Sequence, residues 1–218
     1  MPPRLQIEIE NIKKRILFLG AMVEEHVNMA VKSLETVDLE LALKVIKADK
    51  KIDEVEVEIE EECLKILALH QPVAVDLRFI TAVIKINNDL ERIGDEAVNI
   101  AERVTYLGSR PPLNISFDYR EMSEKTVKVL KDSLDALVSL DIDLAYRVRL
   151  QDDEIDDIDR QFFDKVREEI PKNIERVGSL INLFSISHNL ERIADHATNI
   201  AEEVIYLIEG VIQRHKKN

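Results

Sequence analysis

The chain has 218 residues, a formal net charge of −13, only five Gly, one Cys and no Trp. The negative balance argues against nucleic-acid binding, which needs cationic residues on phosphate, and against adhesion to an anionic membrane surface. With no signal peptide and no run of about 18 apolar residues, the expected location is cytoplasmic, with no direct membrane insertion. The solitary Cys63 excludes an intrachain disulfide and suits a reducing compartment.

Periodicity predicts six helices and no strand. The first, from about Leu5 to Thr36, places Ile9, Ile12, Ile16, Leu19, Val23 and Val27 at helical spacing. Asp38 suits the N-cap of the second. There Val45, Ile52, Ile59 and Ile66 form a heptad seam, with Leu41, Ala48, Val55 and Leu69 beside it. Gln71-Pro72 breaks that helix, and the third runs from about Ala74 to Leu107.

Gly108-Ser109-Arg110-Pro111-Pro112 reads as a linker. Beyond it the plan repeats. A fourth helix covers about Asp118 to Leu140, and Asp141 caps the fifth as Asp38 caps the second, 103 residues on. Pro171 ends the fifth, and the sixth runs from about Asn173 to Glu209. The basic end Arg214-His215-Lys216-Lys217 is expected to be a frayed helix end. Long helices with short connections pack antiparallel. The expected fold is therefore all-α: two tandem antiparallel three-helix bundles related by internal duplication, at residues 1–109 and 110–218.

The duplication is explicit. Residues 90–107 read LERIGDEAVNIAERVTYL and residues 190–207 read LERIADHATNIAEEVIYL, differing only at 94, 96, 98, 103 and 105 and their partners. Each copy carries acids at i and i+4, Glu91 with Asp95 and Glu191 with Asp195. Like charges at that spacing face the same way and repel. A second pair precedes each copy, Asp49 with Asp53 and Asp152 with Asp156, and Glu56 and Asp159 extend these by a turn. Asn99, Glu102, Asn199 and Glu202 extend the motif helices similarly.

In an antiparallel hairpin, residues equidistant from the turn share a height. That places Asp53 beside residue 91 or so and Asp49 beside 95, with Asp156 and Asp152 beside 190 and 194. Four carboxylates in one patch either form a solvated acidic face or hold a cation. Hard oxygen ligands of this kind suit Mg, Ca, Mn or Fe. At roughly 100° per residue, Glu191, Asp195, Asn199 and Glu202 share one side of the sixth helix, nearly opposite Ile193, Ala197, Ile200 and Val204. A site there is expected at the surface of its bundle. His188 replaces Asn88 and His196 replaces Glu96; an imidazole from His188 would favour Fe or Zn. His26, His70 and His215 form no cluster in the sequence. Arg92 and Arg192 are expected to pair with nearby acids, such as Glu96.

The paired LERI(G/A)D-x-A-x-NIAE segments, with upstream Asp49–Asp53 and Asp152–Asp156, resemble the PhoU family over nearly the whole chain. The resemblance implies metal-binding E(D)-x-x-x-D motifs, carried here by Asp49, Asp53, Glu91, Asp95, Asp152, Asp156, Glu191 and Asp195. It also implies a homodimer that regulates phosphate homeostasis. Its partners would be the ATPase subunit of the phosphate importer and the phosphate-sensing histidine kinase, both restrained when phosphate is plentiful. The metal could be Fe, Mn, Zn, Mg or Ca. Where many family members carry a further Glu before the motif Asn, this chain has Val98 and Thr198. No catalytic residue is assigned. The competing readings are a metal-dependent hydrolase of phosphate compounds and a plain structural bundle.

Overall fold

The computed structural model describes residues 3–111, 115 and 117–212, so Pro112 of the linker and the basic end with His215 lie outside the described residues. Helices α1 (Pro3–Thr36), α2 (Leu39–His70) and α3 (Ala74–Gly108) form the first half. Helices α4 (Arg120–Ser139), α5 (Ile142–Glu169) and α6 (Val177–Glu209) form the second. There is no strand among the described residues.

The helix starts follow from their caps. Asp38 and Asp141 accept hydrogen bonds from the backbone N–H of Leu41 at 3.0 Å and Leu144 at 2.9 Å, satisfying donors that a first turn leaves open. The residue before each cap, Val37 or Leu140, reverses the chain with φ of 50° or 51°. The α6 start differs from the sequence expectation. Pro171 ends α5, but the chain then makes two 3-10 turns, Ile170–Lys172 and Ile174–Arg176, and the long helix begins only at Val177.

The core follows the periodic positions. Leu5, Ile9, Ile12, Ile16, Leu19, Val23 and Val27 are buried along α1, and Val45, Ile52, Ile59 and Ile66 along α2. The flanking α2 seam is corrected. Ala48 and Leu69 are exposed, while Ala42, Val55 and Cys63 are buried. The seven-residue seam itself stays covered, and beside it only Ala42, Val55 and Cys63 are buried by neighbouring helices. Burial pushes the Cys63 thiol up to about 12, with Glu62 and Glu60 adding to it, and this suits a packing residue.

The two halves share one continuous hydrophobic cluster. Helix α3 packs along α6, and α1 meets α4. At the second contact Gly20 lies under Leu134; a Cβ there would come within 3.0 Å of Leu134 Cδ2, so glycine permits the approach. The α3–α6 seam is antiparallel, since partners on α6 fall in number as those on α3 rise. Lys85 meets Glu203 at 2.9 Å, Asp89 meets His196 at 2.9 Å and Asn199 at 3.3 Å, and Glu96 meets Arg192 at 3.0 Å.

Candidate metal centres

Helix α5 brings Asp152 and Asp156 against α6, where carboxylate oxygens of Asp152, Asp156 and Asp195 lie within 4.8 Å of one another. Hairpin geometry predicts this meeting. Glu191 adjoins the group. Burial first, then Asp195, Asp159, Asp156 and Asp152, push its carboxyl up to about 7. Asp152 is likewise pushed up to about 7 by burial, then by Asp195, Asp156 and Asp153, against a weak lowering by the Thr198 hydroxyl. Burial and Asp195 also raise Asp156. Asp156 Oδ1 and Glu191 Oε2 are buried with no hydrogen-bond partner.

His188 reaches this cluster. Its Nδ1 stands 3.4 Å from Glu191 Oε2, too poorly directed for a hydrogen bond, and 3.5 Å from Asp159 Oδ2. Ser187 donates to Asp159 at 2.6 Å, which fixes that outer acid.

The first half also brings acids of α2 and α3 near one another, but among the described residues only the second half gathers three carboxylate oxygens within 4.8 Å. Burial, then Asp53, Asp95 and Glu91, push Asp49 up to about 6. Glu91 is raised by burial and Asp95, with Arg92 and His196 opposing. Asn87 donates to both the backbone and the side chain of Glu56, at 2.9 and 3.1 Å, the counterpart of Ser187 on Asp159. Gly94 makes room for Asp49: an added Cβ would meet its Oδ1 at 3.3 Å.

Residues that extend the stripes have protein partners. Asn99 donates to Glu96 at 3.2 Å and Asn199 to Asp89 at 3.3 Å. Glu202 pairs with Arg149 at 3.5 Å, and Glu102 lies 4.0 Å from Arg103. On the α6 stripe Asn199 therefore faces the seam between the halves, outside its own bundle as expected, while Glu202 turns toward α5. Pairing of the repeated arginines is corrected too. Glu96 binds Arg192 across the halves, while Arg92 has no ion-pair partner among the described residues. The sequence offers no register for contacts between duplicated halves, so helix spacing alone could not place this bond.

The histidine reading also changes. His70 bonds Glu8 at 2.8 Å. His26 on α1 is buried beside Asp49, with Nε2 3.6 Å from Oδ1, and burial pushes its imidazole down to about 4. A signal for His26 was present: it occupies a core position among Leu19, Val23 and Ala30, where a polar side chain is out of place.

Each cluster holds carboxyls at a cost, because like charges and partial burial oppose ionisation. The donors fit a hard or borderline cation, and in the second cluster the buried oxygens Asp156 Oδ1 and Glu191 Oε2 still lack a partner. A bound ion would supply the counter-charge that favours the ionised forms of Asp49, Asp152 and Glu191, whose carboxyls are raised, while tying α2 to α3 and α5 to α6.

Comparison with known proteins agrees with the fold. The family model described as "PhoU domain" matches residues 16–104 and 119–204. A Pseudomonas putida "Phosphate-specific transport system accessory protein PhoU homolog" is 41% identical over 217 residues, covering 95% of this chain and 82% of the relative. The crystal structure of PhoU from Pseudomonas aeruginosa superposes with a TM-score of 0.90 at 36% identity, covering 94% of this chain and 99% of that one. That of "the phosphate transport system regulatory protein PhoU" from Streptococcus pneumoniae gives 0.82 at 27%, with 95% and 98% covered. The duplicated LERI segment, the six-helix architecture and these matches together place the chain in the PhoU family.

Proposed function

We propose that this protein is a metal-binding regulatory adaptor of phosphate homeostasis. In this reading it acts in the cytoplasm as a homodimer. It restrains the phosphate importer through its ATPase subunit and holds the phosphate-sensing histidine kinase in its repressing state when phosphate is plentiful. Its relatives' names, accessory proteins of phosphate-specific transport, support the regulatory role. The observation that carries metal binding is the convergence of Asp152, Asp156 and Asp195 oxygens within 4.8 Å; in the first half the support is the mutual repulsion of Asp49 with Asp53, Asp95 and Glu91. Asp49, Asp53, Glu91 and Asp95 would hold metal in the first half, and Asp152, Asp156, Glu191 and Asp195 in the second. Fe, Mn, Zn, Mg and Ca are all compatible with oxygen ligands. No helix among the described residues is long and apolar enough to cross a membrane, so the action on membrane complexes is assigned to helix faces docking on partners.

Elemental mass spectrometry of protein purified without chelator, beside Glu91→Ala/Glu191→Ala, tests the metal claim. Stoichiometric metal in the parent, lost in the variant, is expected. Binding of the importer ATPase and of the kinase, measured with and without that metal, tests the adaptor claim. Failure to bind either partner with metal present would reject it. Metal-dependent phosphate release that Glu191→Ala abolishes would point to the hydrolase instead.

A further inference from the structure

The first acidic cluster has a neighbour that its copy lacks. His26 is 1% exposed, and its Nε2 has no hydrogen-bond partner. That atom faces Asp49 Oδ1 at 3.6 Å, beyond hydrogen-bond range. A buried polar atom left unpaired is destabilising, so the arrangement needs a reason. Two donors that each lie about 2.0–2.2 Å from one tetrahedral ion stand roughly 3.4 Å apart. The observed separation is close to that of two ligands sharing a metal. At the matching place in the second half, 103 residues on, stands Val129, buried and apolar. Gly94 keeps the α3 side of Asp49 open, since a Cβ would meet Oδ1 at 3.3 Å.

We propose that His26 Nε2 is a nitrogen ligand of the first acidic site, sharing a transition-metal ion with Asp49. The assignment rests on the metal-binding reading above and deepens it. An imidazole beneath the carboxylates shifts preference toward Zn²⁺, Fe²⁺ or Co²⁺ and away from Mg²⁺ and Ca²⁺. The second site has no buried nitrogen in that place; its histidine, His188, is 49% exposed at the side chain. The two sites therefore differ in metal preference, the first being the more selective.

The test uses the full chain with Asp152→Asn/Glu191→Gln, which leaves only the first site, titrated with Zn²⁺ and separately with Mg²⁺. Long-range ¹H–¹⁵N spectra of the histidines should show His26 Nε2 moving to a metal-bound position as Zn²⁺ fills the site. His26→Val, the residue its copy carries, should lower Zn²⁺ affinity by at least about tenfold, as perturbing a metal's supporting groups does, and leave Mg²⁺ binding unchanged. Zn²⁺ binding without movement of the His26 signal would overturn the assignment while leaving the acidic cluster a metal site. If the first site takes no Zn²⁺ at all, the assignment also falls; elemental analysis of the parent then shows separately whether the metal reading falls with it. The spectroscopic arm needs no His26 variant, so it decides the matter even if His26→Val does not fold.

Discussion

The two acidic clusters occupy corresponding places and rest on different foundations. Under Asp49 lie Gly94 and the buried His26; at the matching positions of the second half stand Ala194 and Val129. Thr198 touches Asp152, whereas Val98 stands at the equivalent place in the first half. The α3–α6 seam is equally uneven: Glu96 binds Arg192, but the reciprocal pair is Arg92 and His196, and Glu203 binds Lys85 where its counterpart is Arg103. The carboxylate spacing survives duplication because it depends only on helix pitch and hairpin height. Residues beneath and between the clusters meet different neighbours in each half, and there the copies have separated.

The largest expected contrast between the halves is in pH dependence without metal, because several groups add. Asp152 and Glu191 are raised to about 7 and Asp49 to about 6, all above their unfolded values. The native state then holds more protons than the unfolded chain within those windows, so stability falls as pH rises through them. His26, pushed down to about 4, acts in the opposite sense: its contribution grows between about pH 4 and 6.5. The two first-half groups thus offset each other below pH 6, and the fall from pH 6 to 7 belongs to the second half. Melting curves of chelated protein should show that fall in the parent and lose it in Asp152→Asn/Glu191→Gln. Asp49→Asn should keep it; an equal slope in both variants would end this account.

Next in size is the seam. Arg192→Met leaves the Glu96 carboxylate, only 4% exposed, with Asn99 as its remaining partner. We expect a loss of about 1–3 kcal/mol in urea unfolding. Arg92→Met, on the exposed counterpart, should cost less than about 0.5 kcal/mol. Equal losses would mean that the asymmetric bond across the seam carries no stability.

Smaller still is the exchange at the motif glycine. Ala194→Gly should cost about 1 kcal/mol through helix propensity. The reverse change, Gly94→Ala, should gain less than that, because the new methyl presses on Asp49 and Ile52 at 3.3 and 3.4 Å. A full, equal gain would show that Asp49 yields freely. Least of all, Val37→Gly and Leu140→Gly should stabilise by up to about 1 kcal/mol, since both hold positive φ on exposed turns. The β-branched Val37 should gain more, and thermal unfolding of the two variants would rank them.

Sequence periodicity determined the six helices, the Asp38 and Asp141 caps, the buried lines of α1 and α2 and the stacking of paired acids at one height. Each follows from local geometry: 3.6 residues per turn, a first-turn N–H seeking an acceptor, and a short reversal that forces antiparallel packing. What lay beyond it came from contacts between distant segments. Helix spacing cannot say that α3 lies along α6, that Glu96 takes its cation from the other half, or that Asn199 turns toward Asp89. Nor can it say that α1 brings His26 beneath Asp49, because 23 residues and a reversal separate them. One-dimensional pattern fixes which face of a helix is apolar. Only three-dimensional packing decides what that face meets, and so which polar group is left buried without a partner.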